Sequence, residues 1–101
     1  MIVKKKNSEG NEIILELSGY IDTIASDELK DMLYSLDVKE NQEIILELSD
    51  VDFIGSTAIG RILLFYKKVK DKNVNIVFQN PNEDIKKLFS VIGLDQLFII
   101  K

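Results

Sequence analysis

At 101 residues, with 46% hydrophobic and 30% charged residues, the chain has room for one hydrophobic core in a single domain spanning residues 1–101, and its balance is that of an ordinary globular protein. It contains no cysteine and no histidine, which excludes disulfides, thiolate metal sites, Ser-His triads and all imidazole acid–base chemistry. The net charge of -4 argues against direct nucleic-acid binding, which depends on neutralising phosphates with Lys and Arg.

The start, Met1-Ile2-Val3-Lys4-Lys5-Lys6, carries charge where a signal peptide would need its apolar segment, and no apolar run approaches the roughly 20 residues of a membrane helix. A cytoplasmic protein without membrane insertion is expected. Glu12 to Leu17 reads as a strand, with a shorter one at Ile2-Val3 pairing with it across the polar turn Asn7-Ser8-Glu9-Gly10. Gly19-Tyr20-Ile21-Asp22 breaks the pattern. Leu29, Met32, Leu33 and Leu36 then recur at i, i+3, i+4 and i+7, the single face of a helix that begins between Thr23 and Ser26. Glu43 to Leu48 is nearly continuous in apolar residues, as expected of an interior strand covered on both faces.

A short acidic turn, Ser49 to Asp52, leads into the second helix, whose buried stripe is predicted as Ile59, Ile62, Leu63, Tyr66 and Val69. Arg61, Lys67, Lys68 and Lys70 fall towards solvent, and Asp71-Lys72-Asn73 marks the end. Val74 to Phe78 is the next strand. For the third helix the spacing predicts Asn80 as N-cap, Pro81 at the first helical position and Glu83 as the capping-box partner. Ile85, Leu88, Phe89 and Ile92 repeat the core spacing, Gly93 ends the helix, and Phe98-Ile99-Ile100 reads as a final edge strand. Strands and helices in this alternating order predict an α/β fold: a small mixed β-sheet with helices packed largely on one face.

The stretch Phe53-Ile54-Gly55-Ser56-Thr57-Ala58-Ile59-Gly60 is the most informative. A strand running through a turn into an amphipathic helix places the Ser56 hydroxyl at a helix N-terminus, where unpaired N–H groups and the helix dipole converge. Ser56 reads either as a site for a phosphate or partner, or as a plain N-cap. Asp22 is likewise either a cap or a surface contact. Asp22, Asp50 and Asp52 read as solvated turn carboxylates and not as a metal site. Without a glycine-rich loop and its lysine there is no nucleotide site, and no cofactor is expected.

Three segments together resemble the STAS domain, specifically the small free-standing anti-sigma factor antagonists of bacteria. Gly19-Tyr20-Ile21-Asp22 matches the pattern before the first helix; Ile45 to Gly60 matches the signature strand, turn and helix; Leu88-Phe89-Ser90-Val91-Ile92-Gly93-Leu94 matches the closing segment. The resemblance implies a protein without catalytic activity that works by partner switching. Unphosphorylated, such a protein captures an anti-sigma factor that is also a serine kinase; phosphorylation ends the capture, and a serine phosphatase would restore it. By position the acceptor is Ser56, with Thr57 as second choice. Two positions depart from the motif Asp-Ser-Ser/Thr-Gly-Leu-Gly: Gly55 replaces the acid, which bears on phosphorylation, and Ala58 replaces a glycine with a better helix former.

Both loops that precede these helices follow strands, so a parallel arrangement brings them to one sheet edge. The expected partner-binding face is therefore Asp22, Thr23, Asp52, Gly55, Ser56, Thr57 and Arg61. The alternative reading is a constitutive STAS scaffold subunit of a larger regulatory or lipid-transport assembly, in which Gly55 reflects loss of the switch.

Overall fold

The structure is a computed structural model that describes residues 2–6 and 10–101. Its elements follow in the order β1 (Ile2–Lys6), β2 (Glu12–Ile21), α1 (Thr23–Tyr34), β3 (Glu43–Ile54), α2 (Ser56–Val69), β4 (Asn75–Gln79), α3 (Glu83–Val91) and β5 (Ile99–Ile100). The expected turn at Asn7-Ser8-Glu9 lies outside the described residues. Strand order in the sheet equals chain order; β1 runs antiparallel to β2, and β2 to β5 are parallel. Each parallel step crosses over through one helix. Crossovers of one hand that always advance in the same direction stack their helices on the same face, and the buried residues of all three helices join a single core cluster with alternate strand residues.

That cluster draws Ile13, Leu15 and Leu17 from β2, Ile44, Leu46 and Leu48 from β3, and Ile76 and Phe78 from β4. The opposite face carries a row in register, Ile14, Ile45, Val77 and Ile99. Ile45 and Val77 are buried there but stand outside the helix-covered cluster. The apolar run of β3 thus reflects an interior strand, as expected, but helices cover only one side of it. On the other side apolar neighbours in the row lie beside one another.

Two strands are longer than their patterns predict, because β3 bulges. From Glu16 to Ser18 on β2 the partner advances from Glu47 to Asp50, and from Gly19 to Tyr20 it advances from Val51 to Phe53. Each step inserts one extra residue into β3. Strict alternation from Leu48 would turn Asp50 and Asp52 into the core. The bulges turn in Val51 and leave both aspartates exposed. Gly19, at φ 81, supplies on β2 a conformation that other residues adopt only at a cost. The residues read as a break and as an acidic turn are therefore the far ends of two paired strands.

In α2 the buried residues are Ala58, Ile59, Ile62, Phe65 and Val69, with Leu63 and Tyr66 only partly covered. Phe65, absent from the predicted stripe, is 2% exposed, because the inward face is centred one position away from the face chosen by spacing. Helix α3 begins later than predicted. Asn82 is its N-cap, its side chain accepting from Ile85 N at 2.8 Å. Asn80 instead stays with the sheet: its N–H donates to Lys101 O at 2.9 Å and its side-chain amide donates to both Glu47 carboxylate oxygens at 3.3 Å. Burial raises the Glu47 pKa, but hydrogen bonds from Ser49, Asn80 and Gln79 outweigh it and hold this carboxyl below its usual value. Of the α3 residues assigned to the core, Ile85 and Phe89 are buried, whereas Leu88 and Ile92 are exposed. The Phe89 ring lies 4.7 Å from that of Phe78, so the short helix docks through this pair. Gly93, at φ 81, ends it as expected.

Truncating Phe65 should therefore be far more costly than truncating its neighbour Leu64, which is 54% exposed. Phe65→Ala is expected to lose about 3–5 kcal/mol and Leu64→Ala about 0.5 kcal/mol in urea denaturation. Equal losses would show that Phe65 is not part of the core.

Candidate functional site

Parallel pairing carries β2 and β3 to a common end, at Ile21 and Ile54. There Gly55 N donates to Ile21 O at 2.9 Å, joining the loop before α2 to the loop before α1. Asp22, Thr23, Gly55, Ser56 and Thr57 thus meet at one edge, and Asp52 is exposed on the strand leading to it.

Asp22 is the N-cap of α1, its Oδ1 accepting from Ala25 N at 2.9 Å. Thr23 opens the helix, and its carbonyl accepts from the buried Ser26 hydroxyl at 2.6 Å. At α2 the arrangement differs. Gly55 is the N-cap, with φ -89 and ψ 167, and no side chain caps the helix. Ser56 is therefore the first helical residue and not the cap that one reading of the sequence made it. Ser56 and Thr57 are both exposed. The Ser56 hydroxyl stands beside the positive end of the α2 dipole without a capping bond of its own.

Gly55 has no backbone need for glycine, since its φ is ordinary for any residue. A Cβ there would meet Phe53 Cε2 at 3.4 Å, Ile21 O at 3.5 Å and Phe53 Cζ at 3.7 Å, which are ordinary contacts. The Phe53 ring thus lies against the residue before Ser56. It also neighbours Tyr20 across the strands, with ring centroids 5.9 Å apart.

Tyr20 (64% exposed), Phe53 (45%) and Ile24 (83%) give this edge an apolar surface that the sequence reading missed. Tyr20 and Phe53 both stand in the outward phase of their strands, Tyr20 with Glu16 and Ser18 and Phe53 with Ser49, but the predicted strands end at Leu17 and Leu48, short of either ring. Large apolar side chains exposed together are a recurrent property of protein interfaces. Arg61 also differs from expectation. It is partly buried and bridges the helices, Nη2 lying 2.9 Å from Asp27 Oδ1, while its Nε is buried without a partner. Among the described residues no helix is long and apolar enough to cross a membrane, and no group of three or more acidic side chains could hold a metal ion.

The STAS domain family matches the chain over residues 3–101. The anti-sigma-B factor antagonist of Bacillus subtilis is 27% identical over 90 residues, covering 89% of this chain and 82% of the relative. A Thermotoga maritima protein proposed to be an anti-sigma factor antagonist superposes with a TM-score of 0.82 at 24% identity, over 97% of this chain and 84% of its own. The Bacillus cell fate determinant SpoIIAA, in its phosphorylated form, gives a TM-score of 0.74 at 16% identity, over 99% and 91%. At these identities the structures show a shared fold.

Because Asp22 caps α1, its charge and its hydrogen bond can be separated by experiment. Asp22→Asn keeps the cap and should stay within about 0.5 kcal/mol of the parent, whereas Asp22→Ala should lose about 1 kcal/mol in urea denaturation. Equal losses for both would make the charge, and not the capping bond, the stabilising term.

Proposed function

Since the chain belongs to the STAS domain family, we propose that it is a cytoplasmic anti-sigma factor antagonist, without catalytic activity, that acts by partner switching. Unphosphorylated, it captures an anti-sigma factor that is also a serine kinase and so frees a sigma factor; phosphorylation at Ser56 releases the partner, and a serine phosphatase resets the cycle. The observation that carries this reading is the presentation of Ser56, exposed as the first residue of α2 with no capping duty. A phosphate there adds about -1.5 to -2 charge where the helix dipole favours an anion, so the fold survives modification. The surface around it does not stay the same. Tyr20, Phe53 and Asp22 lie at the same sheet edge as the acceptor, and new bulk and charge there oppose a closely packed interface.

Incubating the protein with the anti-sigma factor kinase and ATP, followed by mass mapping, tests the assignment. Modification at Ser56 is expected, with partner affinity falling at least about tenfold, which corresponds to about 1.4 kcal/mol. Ser56→Ala should capture the partner and resist phosphorylation. Modification of Thr57 alone, or full binding by the phosphorylated protein, would reject the assignment.

Gly55→Asp restores the acid that the family motif places before the serine, and the ordinary φ and the room for a Cβ support a folded variant. Aspartate is also a better N-cap than glycine by a few tenths of a kcal/mol. A slightly higher melting temperature and a faster initial rate of phosphate incorporation than wild type are expected with the same kinase. A folded variant phosphorylated no faster would show that the missing acid does not limit the reaction. No phosphorylation of either protein would favour the constitutive scaffold.

A further inference from the structure

Resting on the antagonist reading, we propose that the exposed face of α2 is the seat of an acidic amphipathic helix of the anti-sigma factor. Charge is the first argument. Within a chain of net charge -4, α2 contains Arg61, Lys67 and Lys68 and no Asp or Glu. Gly60, Arg61, Leu64, Lys67 and Lys68 stand three, four, seven, ten and eleven residues after Thr57 and so share one face with it. Such a face complements acidic residues recurring at the same spacing and repels a basic segment.

Shape is the second argument. A groove of about 470 Å³ lies on this face, lined by Thr57, Gly60, Arg61, Leu63 and Leu64. Leu64 projects from its wall, 54% exposed. Gly60 sits inside the helix, where glycine is unfavourable relative to alanine, and a Cβ there would meet nothing within 4 Å. Nothing in the described packing requires glycine at this position. A helix laid along the groove does, because a missing side chain lets two helix axes approach closely. Arg61 stands at the same wall with one N–H given to Asp27 and its Nε unpartnered. A helix is the form of partner that fits, since an extended segment is recognised through the unpaired backbone of a sheet edge, which a helix face does not offer.

The test uses the anti-sigma factor kinase of the Ser56 experiment as purified protein. Gly60→Leu fills the groove, and the charge swap Asp27→Lys with Arg61→Glu reverses the facing charge while keeping an intramolecular ion pair. Each is expected to weaken capture at least about tenfold by calorimetry while the domain stays folded. Gly60→Ala should raise the melting temperature by about 2–6 °C and still weaken capture. A photo-reactive p-benzoylphenylalanine at position 64 should cross-link to a helical segment of the kinase carrying acidic residues three or four apart. Lysine substitution of those acids should restore capture by the charge-swapped protein. Capture unchanged by Gly60→Leu, in a system where Ser56 phosphorylation still releases the partner, would overturn this inference and leave the antagonist reading standing. Cross-linking to a basic segment or to a second copy of this chain would overturn it as well. Failure of the wild-type protein to capture the kinase at all would overturn both.

Discussion

The parallel pairing of β2 with β3 is the constraint on which the rest of the molecule depends. It fixes the register from Glu12↔Glu43 to Ile21↔Ile54, and so decides which residues of both strands face the helices. It also ends both strands at the same edge, where the Gly55 N–H reaches Ile21 O. Two short segments separated by a helix in sequence become one surface through a backbone bond. No side chain is needed to bring them together, which leaves the side chains at that edge available for contact. This separation of scaffold from contact surface is what a binding module needs, because surface residues can change with little effect on the core.

The bulges of β3 adapt this frame to its task. An unbroken ladder would have placed Asp50 and Asp52 in the core, where unpaired carboxylates cost several kcal/mol in desolvation. Two inserted residues exchange them for Val51 and keep Ile54 inside. Phe53 and, across from it, Tyr20 keep the outward phase of their strands and stand together, with the Phe53 ring beside Gly55.

Much of this was legible in the sequence where one period persists. The strands at Glu12 and Glu43, the helix through Leu29 and Leu33, and the stop at Gly93 all follow from unbroken patterns, and the mixed sheet with helices on one face follows from their order. Legibility fails where two rules compete. Asn80-Pro81 carries good capping signals, yet Asn80 is held to Lys101, just past β5, and to Glu47, so the cap passes to Asn82. Spacing could not separate Phe65 from Leu63 in a helix with apolar residues on several sides. At the candidate site, Ser56 was legible as a residue of a helix start, but Gly55 took the capping position. Tyr20 and Phe53 lay beyond the predicted ends of their strands, and the Asp27 to Arg61 pair spans 34 residues, which no local pattern encodes.

Strand order equal to chain order also bears on how the chain is built. Each new strand pairs with the one made just before it, so no gap is left in the sheet for a later segment to fill. Non-local pairing is slow because the intervening loop must close before contacts reward it, and here each parallel closure spans only one helix and its connections. A ribosome releasing this chain from its N-terminus therefore delivers every strand next to a partner already in place, and the edge that carries Asp22 and Ser56 is complete before β4 is made.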